Sequence, residues 1–524
     1  MARRRTEPGI GDRWAARRAG WHAGPARIVH WPDPDEAGTP LRGRALVDGV
    51  YWAPDARAGA VALAIPDGDL WALEASEADL RAALHGHEWL DDLAALGSRA
   101  AARTALRWLS AWDAAFGTGR GPGWTAGRAA RRVLAWTGHL DFLAGRAGGA
   151  LPETIARALD QHIGYLRRRG GAARQGLDPI AVPAAILLAG LVLDGRAGDA
   201  LTALPRLVGA LERVLRDPAA ATGRSPWRLL RLAILLRRVR VALIETGHTP
   251  PEALAEGLAR LAPDLRALSH ADGGLSRFHG GARGVPGALD RTLAEAPAPA
   301  RPNPRPVMGY GRLAASGVTA ILDAGPAGAV DSRLAVELTV GRTPLVVAAG
   351  TGLAIPAPPR PGLAAAPQLE ARPGHLLARL QGGVGLDAER QLWLEPGGGR
   401  LAGRDRLALR RPPGAPVPEL WLRFALHPGI RVEEAGPGAA ILWLPGGGHW
   451  LFAHDGPAER TFEPFAHADP TDPLAAGPRP AQAIVLRAAA EARTLDLAWM
   501  FERGEPSAAA MPGDRRAARP AAAG

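Results

Sequence analysis

Residues Leu265–Gly281, LRALSHADGGLSRFHGG, divide a region of helical periodicity from a region of strand periodicity. Asp272-Gly273-Gly274 inside this stretch is a strong turn signal, because glycine adopts positive φ angles that other residues avoid. His270, Arg277 and His279 surround the turn and supply groups for proton transfer and anion binding. Clefts between domains commonly hold ligands, so we expect a site here. A solvated connector with incidental histidines is the alternative interpretation.

The region before this stretch shows apolar residues at helical spacing. Leu106, Leu109, Trp112 and Phe116 step by three or four and end at Gly117. The same spacing recurs through several later segments that are separated by glycine and proline. It predicts a helical array over 45–283, begun by a short strand or loop elaboration and preceded by a polar, irregular segment over 1–44.

The region after it is predicted to be β-structure. A proline-rich stretch, 284–306, suits an extended linker. Beyond it apolar residues alternate, as at Leu334, Val336, Leu338 and Val340, which is typical of half-buried strands. Short alternating strands divided by glycine turns predict an antiparallel β-sandwich over 307–503. An alanine-, proline- and arginine-rich tail, 504–524, is expected to be disordered.

Composition limits the functional classes. A chain of 524 residues is too long for one core, and its basic residues, all arginine, give a net charge of +11. Arginine forks match carboxylate and sulfate, so a polyanionic partner is expected. Nucleic acid would satisfy the same charge, but no nucleic-acid motif is present. The longest apolar stretch, Ile180–Leu193, is too short to span a bilayer, so we expect no membrane span.

The start of the chain and its lack of cysteine do not indicate where the protein is located in the cell. The chain starts with a basic run like that of a signal peptide, but no apolar run follows it, so localisation stays open. The chain has no cysteine, which leaves the redox compartment undetermined. Its oligomeric state is also left open by the sequence.

A family resemblance rests on sequence blocks that occur in a fixed order. They are LHGHEWLDDL (84–93), ARRVLAWTGHLDFL (130–143), DGGLSRFHGG (272–281), MGYGRL (308–313), ILDAGP (321–326), RQLWLEPGGGRLAGRDRL (390–407) and LRFALHPGIRV (422–432). In this set the chain resembles the heparinase II/III family, in the branch common in alphaproteobacteria. The resemblance covers roughly residues 45–503.

The resemblance implies an incomplete (α/α) toroid followed by an antiparallel β-sandwich, with a cleft for an acidic polysaccharide. The implied reaction is β-elimination at a uronate: one group neutralises the carboxylate, a Tyr or His removes the C5 proton, and an acid protonates the leaving oxygen. The resemblance implies no required metal or other cofactor, although some members of the family hold a zinc ion in the sandwich. Proteins of this family are usually exported to the cell envelope.

The chain departs from the family at the usual catalytic positions. Where relatives carry an R-S-P-x-Y-H run, this chain has Arg224-Ser225-Pro226-Trp227-Arg228. The neutralising asparagine is missing from the helical half, since the only asparagine is Asn303. A histidine expected before the strand that begins at Asp331 is absent, and Gln381-Gly382-Gly383-Val384 replaces a His-Asp-Gly-Tyr run. Two hypotheses stay open: a lyase with remodelled groups, and a degenerate glycan-binding protein that keeps the cleft.

Three residues are the candidates for catalysis. His279 occupies a place where relatives carry asparagine, Tyr310 enters the first sandwich strand as the best remaining phenol, and His270 flanks the turn. A structural role is the alternative for each of them, and for Tyr310 it is the favoured one.

Five further residues are the candidates for substrate binding. Arg224 and Arg228 could neutralise a carboxylate or sulfate, and Arg277 lies beside the turn. His85 and Trp89 belong to the LHGHEW block. His85 and His87 are two apart, a poor spacing for a shared metal ion, so we predict no metal site.

Overall fold

The structure is a computed structural model that describes fourteen stretches of the chain. They are residues 7–24, 26–32, 38–55, 59–73, 78–145, 151–296, 305–326, 334–354, 368–383, 386–409, 419–469, 471–472, 477–489 and 494–504. The tail expected to be disordered therefore lies, apart from residue 504, outside the described residues. The predicted departure at Asp331 also lies outside them.

The first half is helical, as predicted. Its helices are α1 (Ile10–His22), α2 (Pro40–Val47), α3 (Ala78–Gly86), α4 (Trp89–Leu96), α5 (Arg99–Phe116), α6 (Ala126–Gly138), α7 (Leu140–Gly145), α8 (Leu151–Arg169), α9 (Asp178–Val192), α10 (Ala197–Arg216), α11 (Pro218–Thr222), α12 (Pro226–Glu245), α13 (Glu252–Ala267) and α14 (Ala288–Ala294). A hairpin of β1 (Val50–Asp55) and β2 (Gly59–Ala64) precedes α3 and matches the expected strand elaboration.

Helix α9 is the centre of the helical half. Almost all of its side chains are buried, and α6, α8, α10 and α12 pack around it. A helix that is apolar on all sides is stable only when neighbours surround it. The amphipathic helices around it bury their apolar stripes inward, which gives the predicted array.

Two segments differ from the sequence-based expectation. Residues 1–44 were expected to be irregular, but α1 lies within them and α2 begins there. Helix α1 buries only Ala15, Ala16 and Ala19 against α8, so it has no inward stripe of large apolar residues to reveal it. Residues 284–306 were expected to be extended, yet they include α14, which buries Leu289 and packs on α12.

The second half is an antiparallel β-sandwich, as predicted. Its strands are β3 (Tyr310–Ala315), β4 (Val318–Asp323), β5 (Val336–Val340), β6 (Thr343–Ala354), β7 (Gln368–Arg372), β8 (His375–Gly383), β9 (Leu386–Leu394), β10 (Arg400–Leu409), β11 (Glu419–Leu426), β12 (Arg431–Glu434), β13 (Ala439–Trp443), β14 (His449–Asp455), β15 (Glu459–His467), β16 (Arg479–Ala489) and β17 (Thr494–Arg503).

These strands form two sheets that share one core. One sheet has the order β12-β13-β14-β17-β10-β9-β8-β7, and the other has the order β15-β16-β11-β6-β5-β4-β3. Phe424 on β11 meets Trp499 and Phe501 on β17 across the core, with ring centroids 4.7 and 5.5 Å apart. The inward residues of both sheets thus build the sandwich, and the second sheet ends in β4 and β3.

Candidate functional site

The segment Leu265–Gly281, hereafter the joint segment, is tied to the sandwich through buried charged groups. The Nε2 atom of His270 lies 2.9 Å from a carboxylate oxygen of Glu337 on β5, and both side chains are buried. Glu337 also accepts hydrogen bonds from the backbone amides of Arg277 and Ala348. Both groups of the His270 pair are therefore engaged in joining the two halves.

Arg277 makes a second buried connection. Its guanidinium donates to Asp469 at 2.7 Å and to Asp472 at 2.9 Å, in the segment that follows β15. Burial lowers the pKa of Arg277, but the charges of Asp469, Glu337 and Asp472 outweigh burial and raise the pKa overall. Arg277 is therefore held as a buried cation between two carboxylates.

Asp323, the last residue of β4, collects a third set of contacts. It is paired with the guanidinium of Arg224, and the Nε2 atom of His279 lies 3.0 Å from its other oxygen. Arg224 also donates to the backbone carbonyls of Met308 and Pro326 at 2.9 and 2.6 Å. Arg224 and His279 adopt positive φ angles of 62° and 55°, which are uncommon for residues other than glycine. These three side chains form a buried cluster between α12 and the sandwich.

Tyr310 lies directly against this cluster. Its hydroxyl donates to the backbone carbonyl of Arg224 at 2.7 Å, and the Arg224 guanidinium carbon lies 4.7 Å from the ring centroid. Burial, and after it the charge of Asp323, raises the pKa of Tyr310 well above its ordinary value. The phenol is thus a protonated hydrogen-bond donor, and deprotonating it would break an existing contact.

His85 and Trp89 lie in a core of histidine, arginine and tryptophan inside the helical half. His85 Nδ1 accepts a hydrogen bond from Trp112 at 3.0 Å, and the Trp89 indole donates to a backbone carbonyl. Burial, and then the charge of Arg132, lowers the pKa of His85 to about 3. Both side chains are buried, so this core positions the LHGHEW block rather than exposing it.

Arg132 is the centre of that core. Its guanidinium donates to His162 at 3.0 Å and to the backbone carbonyl of His85 at 2.7 Å, and it lies over the Trp112 ring at 4.1 Å. Burial lowers the pKa of Arg132 to about 9. Among the described residues its partners are aromatic rings, imidazole and backbone carbonyls.

A group of arginines is instead partly open to solvent on α6 and α12. Arg238 of α12 donates to the Leu134 carbonyl of α6 at 3.2 Å, which links these two helices, both of which pack on α9. Helical spacing puts Arg228, Arg231 and Arg238 on one side of α12. We define the arginine face as four residues of intermediate or full exposure: Arg131, Arg228, Arg231 and Arg238.

Carboxylates compensate this face only in part. Glu88, from the LHGHEW block, lies 3.6 Å from Arg231, and Asp178 lies 3.3 Å from Arg131. Burial raises the pKa of Glu88, but the charges of Arg231, Arg131 and further arginines outweigh burial and lower it. Arg228 is exposed and makes no hydrogen bond or ion pair that is described. The face therefore keeps positive charge available to a ligand.

The structure separates the sequence-predicted residues into three places. His279, Tyr310 and Arg224 converge on Asp323, and His270 and Arg277 converge on the neighbouring carboxylates. His85 and Trp89 lie in the helical core, and Arg228 is exposed four residues from Arg224. The catalytic and binding roles assigned to these residues stay predictions.

The sequence analysis missed several residues of these clusters. Asp323, Glu337, Asp469 and Asp472 lie far along the chain from their partners, so no local pattern marks them. Arg231, which follows Arg228 at a spacing of three on a helix, carried a signal that could have been used.

Comparison with known proteins confirms the family resemblance. Residues 369–500 match the family described as Heparinase II/III-like, C-terminal. FtsZ-localized protein C of Caulobacter vibrioides (strain NA1000 / CB15N) is 30% identical over 290 residues, which are 55% of this chain and 49% of that protein. The chain thus spans about half the length of this curated relative.

Solved structures support the fold. A crystal structure of heparinase III superposes with a TM-score of 0.62 at 12% identity, covering 94% of this chain and 89% of that one. Heparan sulfate lyase HepC from Pedobacter heparinus gives a TM-score of 0.50 at 12% identity, covering 93% and 87%. At such low identity these structures show the fold alone, a helical toroid followed by a β-sandwich.

None of the helices that the structure describes is both long enough and apolar enough to cross a bilayer. Within the same residues, histidine and carboxylate groups form no cluster of three or more that could hold a metal ion.

Proposed function

We propose, for a chain whose residues 369–500 match the heparinase II/III-like C-terminal family, that it binds an acidic polysaccharide without cleaving it. The observation that carries the proposal is a contrast between two sets of side chains. The groups suited to proton transfer are buried and engaged with structural partners, whereas the arginine face is open.

Elimination needs a base that can reach the C5 proton of a uronate. The base must come within hydrogen-bonding distance of the proton that it removes. Tyr310 is 2% exposed and donates its proton to a backbone carbonyl. His279 and His270 have side chains only 1% exposed, and each is paired with a carboxylate. These existing contacts support binding over catalysis, because a substrate could reach the three side chains only after breaking the contacts that join the two halves.

The arginine face supplies the chemistry for recognition. Guanidinium forks pair with carboxylate and sulfate through two parallel hydrogen bonds, a geometry that lysine lacks. Arg228 follows Arg224 by four residues, so the exposed cation lies next to the joint between the two halves. An acidic glycan that lies across the arginine face would place its carboxylate or sulfate groups beside these guanidinium groups.

The proposal is tested by measuring affinity for heparan sulfate, heparin and alginate at two salt concentrations. Arg228→Gln combined with Arg231→Gln should weaken binding at least tenfold and reduce its salt dependence by about one counterion per lost contact. Arg372→Gln is the matched control, since Arg372 is a 75% exposed arginine on β7, outside the arginine face. Equal affinity of the double variant and the control would refute the assignment of this face.

A further inference from the structure

Helix α1 carries its large apolar residues on the outside. Ile10, Trp14 and Trp21 are 89%, 55% and 71% exposed, whereas Ala15 and Ala19 are buried against α8. A surface helix normally buries its large apolar residues and exposes its small or polar ones. The inverted order means that the outer side of α1 has no covering element among the described residues.

The exposed residues form one stripe. At about 100° per residue, Ile10, Trp14, Arg17 and Trp21 fall within about 60° of one another around the helix. Arg13 flanks the stripe on one side and Arg18 on the other. The Arg18 guanidinium carbon lies 5.2 Å from the Trp14 ring centroid. We call this set the outer face of α1.

The orientation of this face is fixed by contacts on the opposite side. Asp12, the only acidic residue of α1, pairs with Arg169 of α8 at 2.7 Å and is turned away from the stripe. Gln161 of α8 donates to the backbone carbonyl of Ala16 at 3.3 Å. The helix is therefore held with tryptophan and arginine outward, and it cannot hide them by rotating.

We infer that the outer face of α1 docks in the plane of a lipid bilayer that contains anionic phospholipids. Tryptophan favours the boundary between headgroups and acyl chains, and isoleucine adds apolar contact below it. Arg13, Arg17 and Arg18 reach the level of the phosphates, where each basic residue is attracted by the negative surface potential. The inference is independent of the polysaccharide proposal.

Charge favours a bilayer over a protein partner. Tryptophan and arginine also occur in protein interfaces, but there each buried arginine needs a matched counter-charge on the partner. Here Arg13 and Arg18 flank the stripe, Arg17 lies within it, and α1 places no carboxylate on the same face. A phosphate layer above an apolar layer complements both parts of this arrangement along the whole helix.

The test is flotation of the full chain with vesicles of phosphatidylcholine alone and of equal parts phosphatidylcholine and phosphatidylglycerol. Binding to the anionic vesicles is expected, and Trp14→Ala with Trp21→Ala should weaken it at least tenfold. Replacing Arg13, Arg17 and Arg18 with glutamine should remove the preference for phosphatidylglycerol. Trp393→Ala is the matched control, because Trp393 is a 39% exposed tryptophan on β9 of the sandwich.

A second measurement separates membrane contact from loss of fold. Vesicles with brominated acyl chains quench tryptophans that reach the acyl boundary, so the parent and Trp393→Ala should be quenched and the double variant should not. Several results would overturn the inference: absence of binding to anionic vesicles, equal binding by the double variant, or self-association that depends on Trp14 and Trp21 while vesicles stay unbound.

Discussion

Replacing Asp323 with asparagine tests whether the cluster at the end of β4 holds the two halves together. The change keeps the shape of the side chain but removes the charge that Arg224 and His279 share. Asp323 is 1% exposed, and its carboxylate also accepts the Gly325 amide at 3.1 Å. Breaking a buried ion pair on one side leaves an uncompensated charge and costs about 3–5 kcal/mol.

The assay is thermal unfolding by calorimetry. For a domain of about 150–250 residues, a loss of 1 kcal/mol lowers the melting temperature by about 2–4 °C. We therefore expect the melting temperature to fall by about 10 °C. Asp496→Asn is the matched control: Asp496 pairs with Arg404 at 2.7 Å on the surface, where ion pairs contribute little to stability. A melting temperature for Asp323→Asn equal to that of the control would refute a structural role for this cluster.

Three further changes probe the same account. Tyr310→Phe removes a neutral hydrogen bond to the Arg224 carbonyl and should reduce the free energy of unfolding by about 1 kcal/mol while leaving glycan affinity unchanged; a loss of affinity would contradict the structural role. Gly325→Ala would place a methyl group against the held Arg224 guanidinium, so we expect a lower melting temperature, and an unchanged one would show that Arg224 can move away. Acidification below pH 6.5 should reduce stability, because unfolding lets His85 take up a proton that burial and Arg132 exclude in the folded state. The loss is about 1.4 kcal/mol per pH unit down to about pH 3. Denaturant titrations at a series of pH values should show that the free energy of unfolding falls less steeply with decreasing pH for His85→Asn than for the parent.

Sequence periodicity was sufficient for the architecture. The amphipathic spacing of the helices predicted a packed helical array, and period-two alternation predicted the sandwich. Helix α1 was missed because its buried side is made of Ala15, Ala16 and Ala19, which leave no hydrophobic stripe facing the core. Helix α14 was missed because the prolines on either side of it masked a short amphipathic segment.

The candidate site was predicted only in part, for a physical reason. The joint segment was identified as the meeting point of the two halves, and His270, Arg277 and His279 do lie there. Their partners could not be identified, because the contact of His279 with Asp323 spans 44 residues and that of Arg277 with Asp472 spans 195. A histidine in a promising segment looks the same in sequence whether it faces a cleft or a buried carboxylate.

The resemblance and the departures from it fit one physical account. The fold of a lyase is kept by the helical core and the sandwich. Arg224 matches the arginine of the R-S-P-x-Y-H run and makes a buried connection to Asp323, whereas Arg228 stands where that run has its tyrosine. Arg228, at the next turn, keeps its cation in solvent. The same short motif therefore supplies one arginine for stability and one for the proposed recognition.

The measurement that tests the central claim most directly is absorbance near 232 nm during incubation with heparan sulfate, heparin and alginate under conditions where binding is saturated. Elimination produces an unsaturated uronate that absorbs there. Our account predicts salt-sensitive binding to at least one of these glycans with no rise in absorbance. A rise that His279→Ala or Tyr310→Phe abolishes would contradict it and would assign those residues to catalysis.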